Sequence, residues 1–166
     1  MILIGMFDSP FVRRVAVSMK LLGMEFEHRN WSVGKDFELI RQFNPLGRVP
    51  TLVQPDGEAL IESAAILDLL DEYAGPERAL IPGSGKDRRE ALRIMAVATG
   101  AADKGVAQIY ESAFRPPEKR HRPWVGRCHT QMHAALAERC EALPEFRSVK
   151  AEWFPPGEND RPGATD

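Results

Sequence analysis

Cysteine is scarce: Cys128 and Cys140 are the two in 166 residues. A small secreted domain stapled by disulfides would carry more, so the count points to a reducing compartment, and the expected location is cytoplasmic. An excess of charge of one sign is also missing. A formal net charge of −2 gives no global electrostatic case for nucleic acid or a membrane surface as partner. No apolar run approaches the roughly 18–20 residues of a membrane span. Residues 1–6 are apolar but lack the basic start of a signal peptide. What is present is ordinary for a globular chain: 43% apolar and 28% charged residues, which excludes disorder throughout.

The halves differ mildly. Residues 1–83 carry 8 basic and 12 acidic side chains, and residues 84–166 carry 14 and 12. This hints at two units of different character.

The first half alternates periods. Residues 1–7 form a short apolar run suited to a buried strand. Asp8-Ser9-Pro10 punctuates it, and Val12, Val15, Ala16, Met19 and Leu22 follow at helical spacing until Gly23. Residues 25–31 read as a second strand and residues 35–43 as a weaker helix. A loop at 44–48 leads to a strand opening at Pro50. Pro55-Asp56-Gly57 turns the chain back into residues 58–61. Ser63 is expected to cap a helix with Ile66, Leu69, Leu70 and Tyr73 on one face, ended by Gly75-Pro76. The order β-α-β-α-β-β-α predicts helices packed on a mixed sheet.

Residues 77–86 read as a linker, after which the period is helical. Ser84-Gly85-Lys86-Asp87 resembles a capping box. A stripe through Leu92, Met95, Ala96, Thr99, Ala102 and Val106 runs toward Tyr110 and breaks at Arg115-Pro116-Pro117. A second helix is expected from about residue 118 or 123 to 143, then a short piece to 154. Residues 155–166 have the composition of a disordered tail.

Three places in the first half have chemical potential. Ser9 lies between a strand end and a helix start. There a hydroxyl and the helix N-terminus can stabilise a thiolate or another anion, although a plain N-cap uses the same geometry. Val49 precedes Pro50; if that bond is cis, the strand edge could offer its N–H and C=O to a peptide-like ligand. Glu62 and Ser63 could hold an amine and a carboxylate, or be a surface acid and a cap.

Asp8-Ser9-Pro10-Phe11-Val12-Arg13-Arg14, Asn44-Pro45-Leu46-Gly47-Arg48-Val49-Pro50-Thr51-Leu52 and Leu60-Ile61-Glu62-Ser63-Ala64-Ala65-Ile66-Leu67, in this order, resemble the glutathione S-transferase family of cytosolic type. The likeness extends into residues 87–133. It implies a thioredoxin-like glutathione-binding domain at 1–76, the linker at 77–86 and an all-α domain at 87–154, shortened. It also implies roles. Ser9 would be catalytic, donating to the glutathione sulfur. Val49, before a cis Pro50, would pair with the cysteinyl backbone. Glu62 and Ser63 would hold the γ-glutamyl amine and carboxylate, and Arg48 and Lys35 the glycyl end. Phe7, Phe11, Tyr110 and Phe114 would line the pocket of a second substrate, a small electrophile. A serine at the catalytic position cannot form a mixed disulfide, so thiolate activation is preferred over thiol-disulfide chemistry.

The resemblance further implies a homodimer through the helix after Ser63 and the first helix of the second domain. Only about 80 residues follow the linker, and the family's usual box of Ser or Thr followed by Asp, which opens its central helix, is missing. A central piece of the helical domain is therefore expected to be absent near residues 137–139. That would expose apolar faces within 92–106 and 132–143. Two rival readings remain: a non-catalytic glutathione-binding or protein-interacting relative, and a glutathione-dependent isomerase or dehalogenase.

Two other signals are set aside. His129 and His133 share a helical face, but Thr130 stands where a zinc protease needs glutamate, and the Cys128 and Cys140 spacing fits no common zinc framework, so no metal is expected. The basic run from Arg115 to Arg127 stands in a net acidic chain and reads as a solvated loop, not a nucleic-acid patch.

Overall fold

The computed structural model describes residues 1–141, with side chains to Ala137. The expected piece before residue 154 and the tail at 155–166 lie outside the described residues. Four short strands form one sheet: β1 (Ile2–Ile4), β2 (Glu27–Arg29), β3 (Thr51–Val53) and β4 (Ala59–Ile61). Their spatial order is β2-β1-β3-β4. β1 runs parallel to β2 and antiparallel to β3, and β3 pairs antiparallel with β4 across the 55–57 turn. Helices α1 (Pro10–Leu21), α2 (Phe37–Arg41) and α3 (Ser63–Ala74) complete the layer. This is the mixed sheet with helices that the residue pattern implied, and the thioredoxin-like layer that the resemblance implied. A helical region follows: α4 (Gly85–Ala113), a 3-10 turn (Pro117–Lys119) and α5 (Arg122–Glu141).

The pleat explains why both faces of the sheet are apolar. Leu3 pairs with Leu52 and points to one side. There they meet Val12, Val15 and Met19 of α1 and Ile66 and Leu70 of α3, all fully buried. Ile4 and Val53 point to the other side and pack with Ile40 of α2, flanked by Trp31 and Phe43. Each such side chain contributes roughly 1.5–3 kcal/mol relative to exposure, so the two clusters hold the sheet between its helices.

Strand and helix ends fall inside the expected limits. Two caps differ from expectation. Ser63 does not cap α3; it is the first helical residue, and the cap position belongs to Glu62 at φ +68. Ser84 does precede α4, but its side chain makes no capping bond. Gly85 at φ +82 turns the chain between that hydroxyl and the first turn. The backbone of α5 runs unbroken through 137–139, the expected junction.

Candidate functional site

Ser9 follows β1 and caps α1 with extended backbone (φ −67, ψ 122), and Pro10 occupies the first helical position. Proline is suited there, since its missing N–H would have no helical partner. The Ser9 hydroxyl accepts from the Val12 N–H at a long 3.4 Å. That leaves its proton free to donate. The half-buried hydroxyl sits at the positive end of a helix with no acid in its first turn.

Opposite Ser9 stands the 44–50 loop. Asn44 is buried and organises it: Nδ2 donates to the Arg48 carbonyl at 2.8 Å, and Oδ1 accepts from the Leu46 N–H at 3.0 Å. Gly47 has φ +62, and a Cβ there would lie 2.1 Å from the Phe37 ring, so only glycine fits. The Val49-Pro50 bond is cis, as the site reading required. Neither the N–H nor the C=O of Val49 has a hydrogen-bond partner among the described residues. Gly5 makes room behind it: at φ +131, a Cβ would come within 2.8 Å of the Val49 Cβ.

These segments border a cavity of about 470 Å³. Ser9, Phe11, Arg48 and Val49 all line it. Trp31, Ser32, Val33 and Phe37 do so as well. Asp103, Val106, Tyr110 and Phe114 of α4 and its C-cap close it from the helical region. The rings of Tyr110 and Phe114 meet edge to face at 5.1 Å. Six of the residues singled out from the sequence thus border one space.

The other five do not line it. Phe7 belongs elsewhere: its ring stacks on His28 with centroids 3.9 Å apart, and its carbonyl accepts from Arg13 at 2.7 and 2.9 Å. The turn after β1 sends its side chain toward the β2 edge. Lys35 is exposed, and its backbone N–H bonds to Ser32. Pro50 is buried behind Val49. Glu62 reaches Arg48 as an ion pair at 3.1 Å, so the two are brought together at the cavity's edge. A left-handed backbone is uncommon for a glutamate and is the kind of strain that functional loops retain.

Ser63 is buried, and its hydroxyl accepts from Arg14 at 3.2 Å. Arg14 escaped the sequence reading. Its second nitrogen reaches the Met95 sulfur at 3.4 Å, so one guanidinium touches α3 and α4 from α1. Burial pushes its pKa down from the ordinary arginine value, yet it stays charged. Asp103 also escaped notice, although it precedes Val106 and Tyr110 by helical intervals of three and seven and extends their stripe.

The sequence of residues 3–78 matches the model of the glutathione S-transferase N-terminal domain. Residues 3–78 thus belong to the glutathione S-transferase family. Among relatives, it is 33% identical to the uncharacterized GST-like protein YibF of Escherichia coli K12 over 111 residues, 67% of this chain and 54% of that protein. A glutathione S-transferase of Methylobacterium radiotolerans, crystallised with glutathione sulfonate, superposes with a TM-score of 0.78 at 27% identity, covering 84% of this chain and 65% of that one. A glutathione transferase family member of Pseudomonas fluorescens Pf-5 with bound glutathione gives 0.74 at 29% identity, over 89% and 77%. The chain spans about half the length of the curated relatives it matches.

Among the described residues no group of three or more His, Cys, Asp or Glu side chains is placed to hold a metal. No described helix is long and apolar enough to cross a membrane. In the basic run, Arg115 pairs with Glu111 at 2.8 Å, and Arg120 donates to the Arg115 and Ser112 carbonyls.

Proposed function

We propose that the chain binds glutathione beside Ser9 and activates its thiol for attack on a small electrophile in the α4-walled part of the cavity. The observation that carries this is the pairing of a donor hydroxyl at a helix N-terminus with the unpaired peptide groups of Val49 across one cavity. The cysteinyl peptide would bond to Val49, and its sulfur would receive the Ser9 proton as a hydrogen bond. A free thiol has a pKa of about 8.5 and is only a few per cent ionised at neutral pH. One charge-assisted donor at a helix end lowers it by about one unit or more and raises the thiolate fraction up to tenfold. The thiolate forms a carbon–sulfur bond, the leaving group departs with the bond's electron pair, and the thiol proton goes to solvent.

Glu62 and Ser63 would hold the γ-glutamyl end and Arg48 the glycyl end, with Lys35 too exposed to be more than a distant charge. In this scheme Arg48 exchanges Glu62 for a ligand carboxylate on binding. Glutathione is thus a substrate, and no metal takes part. The remaining features of the proposal are a cytoplasmic homodimer that pairs through α3 and α4, and a division of the chain at residues 77–86.

The full chain should be retained on immobilised glutathione. Ultraviolet titration of the bound thiol should give a pKa below that of free glutathione, rising by about one unit in Ser9→Ala. No retention overturns the proposal. Retention with an unshifted thiol assigns the chain to glutathione binding without activation.

A further inference from the structure

We infer that the α4-walled part of the cavity selects electrophiles that join an apolar ring to a positive charge. The inference rests on the glutathione reading above and adds the class of second substrate. Its apolar component is Phe11, Tyr110 and Phe114, which give a ring three aromatic faces. Its charge comes from Asp8, just before Ser9, and Asp103 on α4. Both carboxylates are exposed to the cavity, and neither has a hydrogen bond or ion pair among the described residues. Among the described residues Arg48 is the single cation on the lining, and Glu62 already holds it at 3.1 Å. The nearby basic run does not offset the two acids. Arg115 is spent on Glu111, and none of its members borders the cavity.

An anionic electrophile would therefore meet two uncompensated carboxylates as well as the glutathione thiolate. A cationic one would be drawn to all three. At about 6 Å in a water-like dielectric, one carboxylate changes the occupancy of a unit charge roughly threefold. Two of them, acting with opposite sign on cation and anion, separate the pair by about a hundredfold at low salt. The separation shrinks as the Debye length falls.

The test uses the full chain and three S-conjugates of one shape, so that it does not depend on turnover. S-benzylglutathione is the neutral reference, with a para-aminomethyl and a para-carboxy derivative as the charged pair. Calorimetric titration at low ionic strength should show the aminomethyl conjugate binding about a hundredfold tighter than the carboxy conjugate. Asp103→Asn should reduce that ratio roughly tenfold, and the double change with Asp8→Asn should bring it close to one. Glu90→Gln removes the same charge from an exposed site on α4 well outside the cavity and should leave the ratio alone. A ratio near or below one in the unaltered chain overturns the inference, as does a ratio that Asp103→Asn fails to move. If the conjugates bind without charge preference, the inference alone falls. If neither glutathione nor S-benzylglutathione binds, the reading of the site falls with it.

Discussion

The sheet layer and the helical region are built on different terms. Leu3, Ile4, Val12, Val15, Met19, Ile40, Leu52, Ile66 and Leu70 are fully buried, and all lie before residue 75. From residue 85 to 137 the buried side chains are Ala101, Glu111 and Cys128. The first region wraps a sheet on both faces. The second packs two helices against each other and leaves Leu92, Ile109, Phe114 and Leu136 exposed. The stability of the fold therefore rests on the layer that carries Ser9, Val49 and Ser63. The helices contribute one wall of the cavity.

That contrast can be broken by making the same substitution in both regions. Leu52→Ala should lower unfolding free energy by about 2–5 kcal/mol, as deletion of a fully buried leucine does. Leu136→Ala, at an exposed site, should stay within about 0.5 kcal/mol. Denaturant titration reads both, and equal losses would mean that the helical region has a core of its own.

Glu111→Ala should come next, at about 1–3 kcal/mol. The buried carboxylate accepts from the His121 N–H at 2.9 Å and pairs with Arg115, so it ties the end of α4 to the start of α5. The loss should be accompanied by faster hydrogen exchange at His121. Unchanged exchange there would show that α5 is held by other contacts.

Arg14→Met should cost about 1–2 kcal/mol, because it leaves the buried Ser63 hydroxyl without its donor. It also removes the contact to Met95, so the α1 and α4 signals should lose their common melting point in a residue-resolved measurement. A single transition retained in the variant would mean that other contacts, such as the Arg88–Asp68 ion pair at 3.6 Å, suffice to join the two regions.

Among the polar contacts, the smallest effect is expected for Arg48→Ala. Its pair with Glu62 is exposed on both sides, so stability should change by less than about 1 kcal/mol, and less still in high salt. A larger loss would show that this pair holds the left-handed Glu62 backbone in place.

The strands and helices were legible because each carries a single period. The helical stripe of Val12, Val15, Ala16 and Met19 and the turn at 55–57 admit few alternatives. The site was legible where a backbone signal marks it: Ser before Pro at residue 9, and Pro at residue 50. It was less legible where a side chain's direction depends on a turn. Phe7 stands two residues from Ser9, yet the turn after β1 faces it away from the cavity toward His28. Ser63 looked like a cap because serine usually is one, whereas here the strained Glu62 takes that position. Arg14 and Asp103 were passed over because an arginine or aspartate on a helix is by default a solvated charge. Only packing between distant segments shows that Arg14 lies against Ser63 and Met95, and that Asp103 shares a cavity with Ser9.

The length of α4 has a mechanical consequence. It meets the sheet layer at Met95, where Arg14 touches it, and carries Tyr110 roughly 22 Å further along its axis at 1.5 Å per residue. A tilt of about 5° at that pivot would move the Tyr110 ring by about 2 Å, more than the length of a carbon–carbon bond. The helix is thus a lever: the width of the cavity is set by small rotations at a contact outside its lining, and a change at Arg14 would be felt at Tyr110 without touching it.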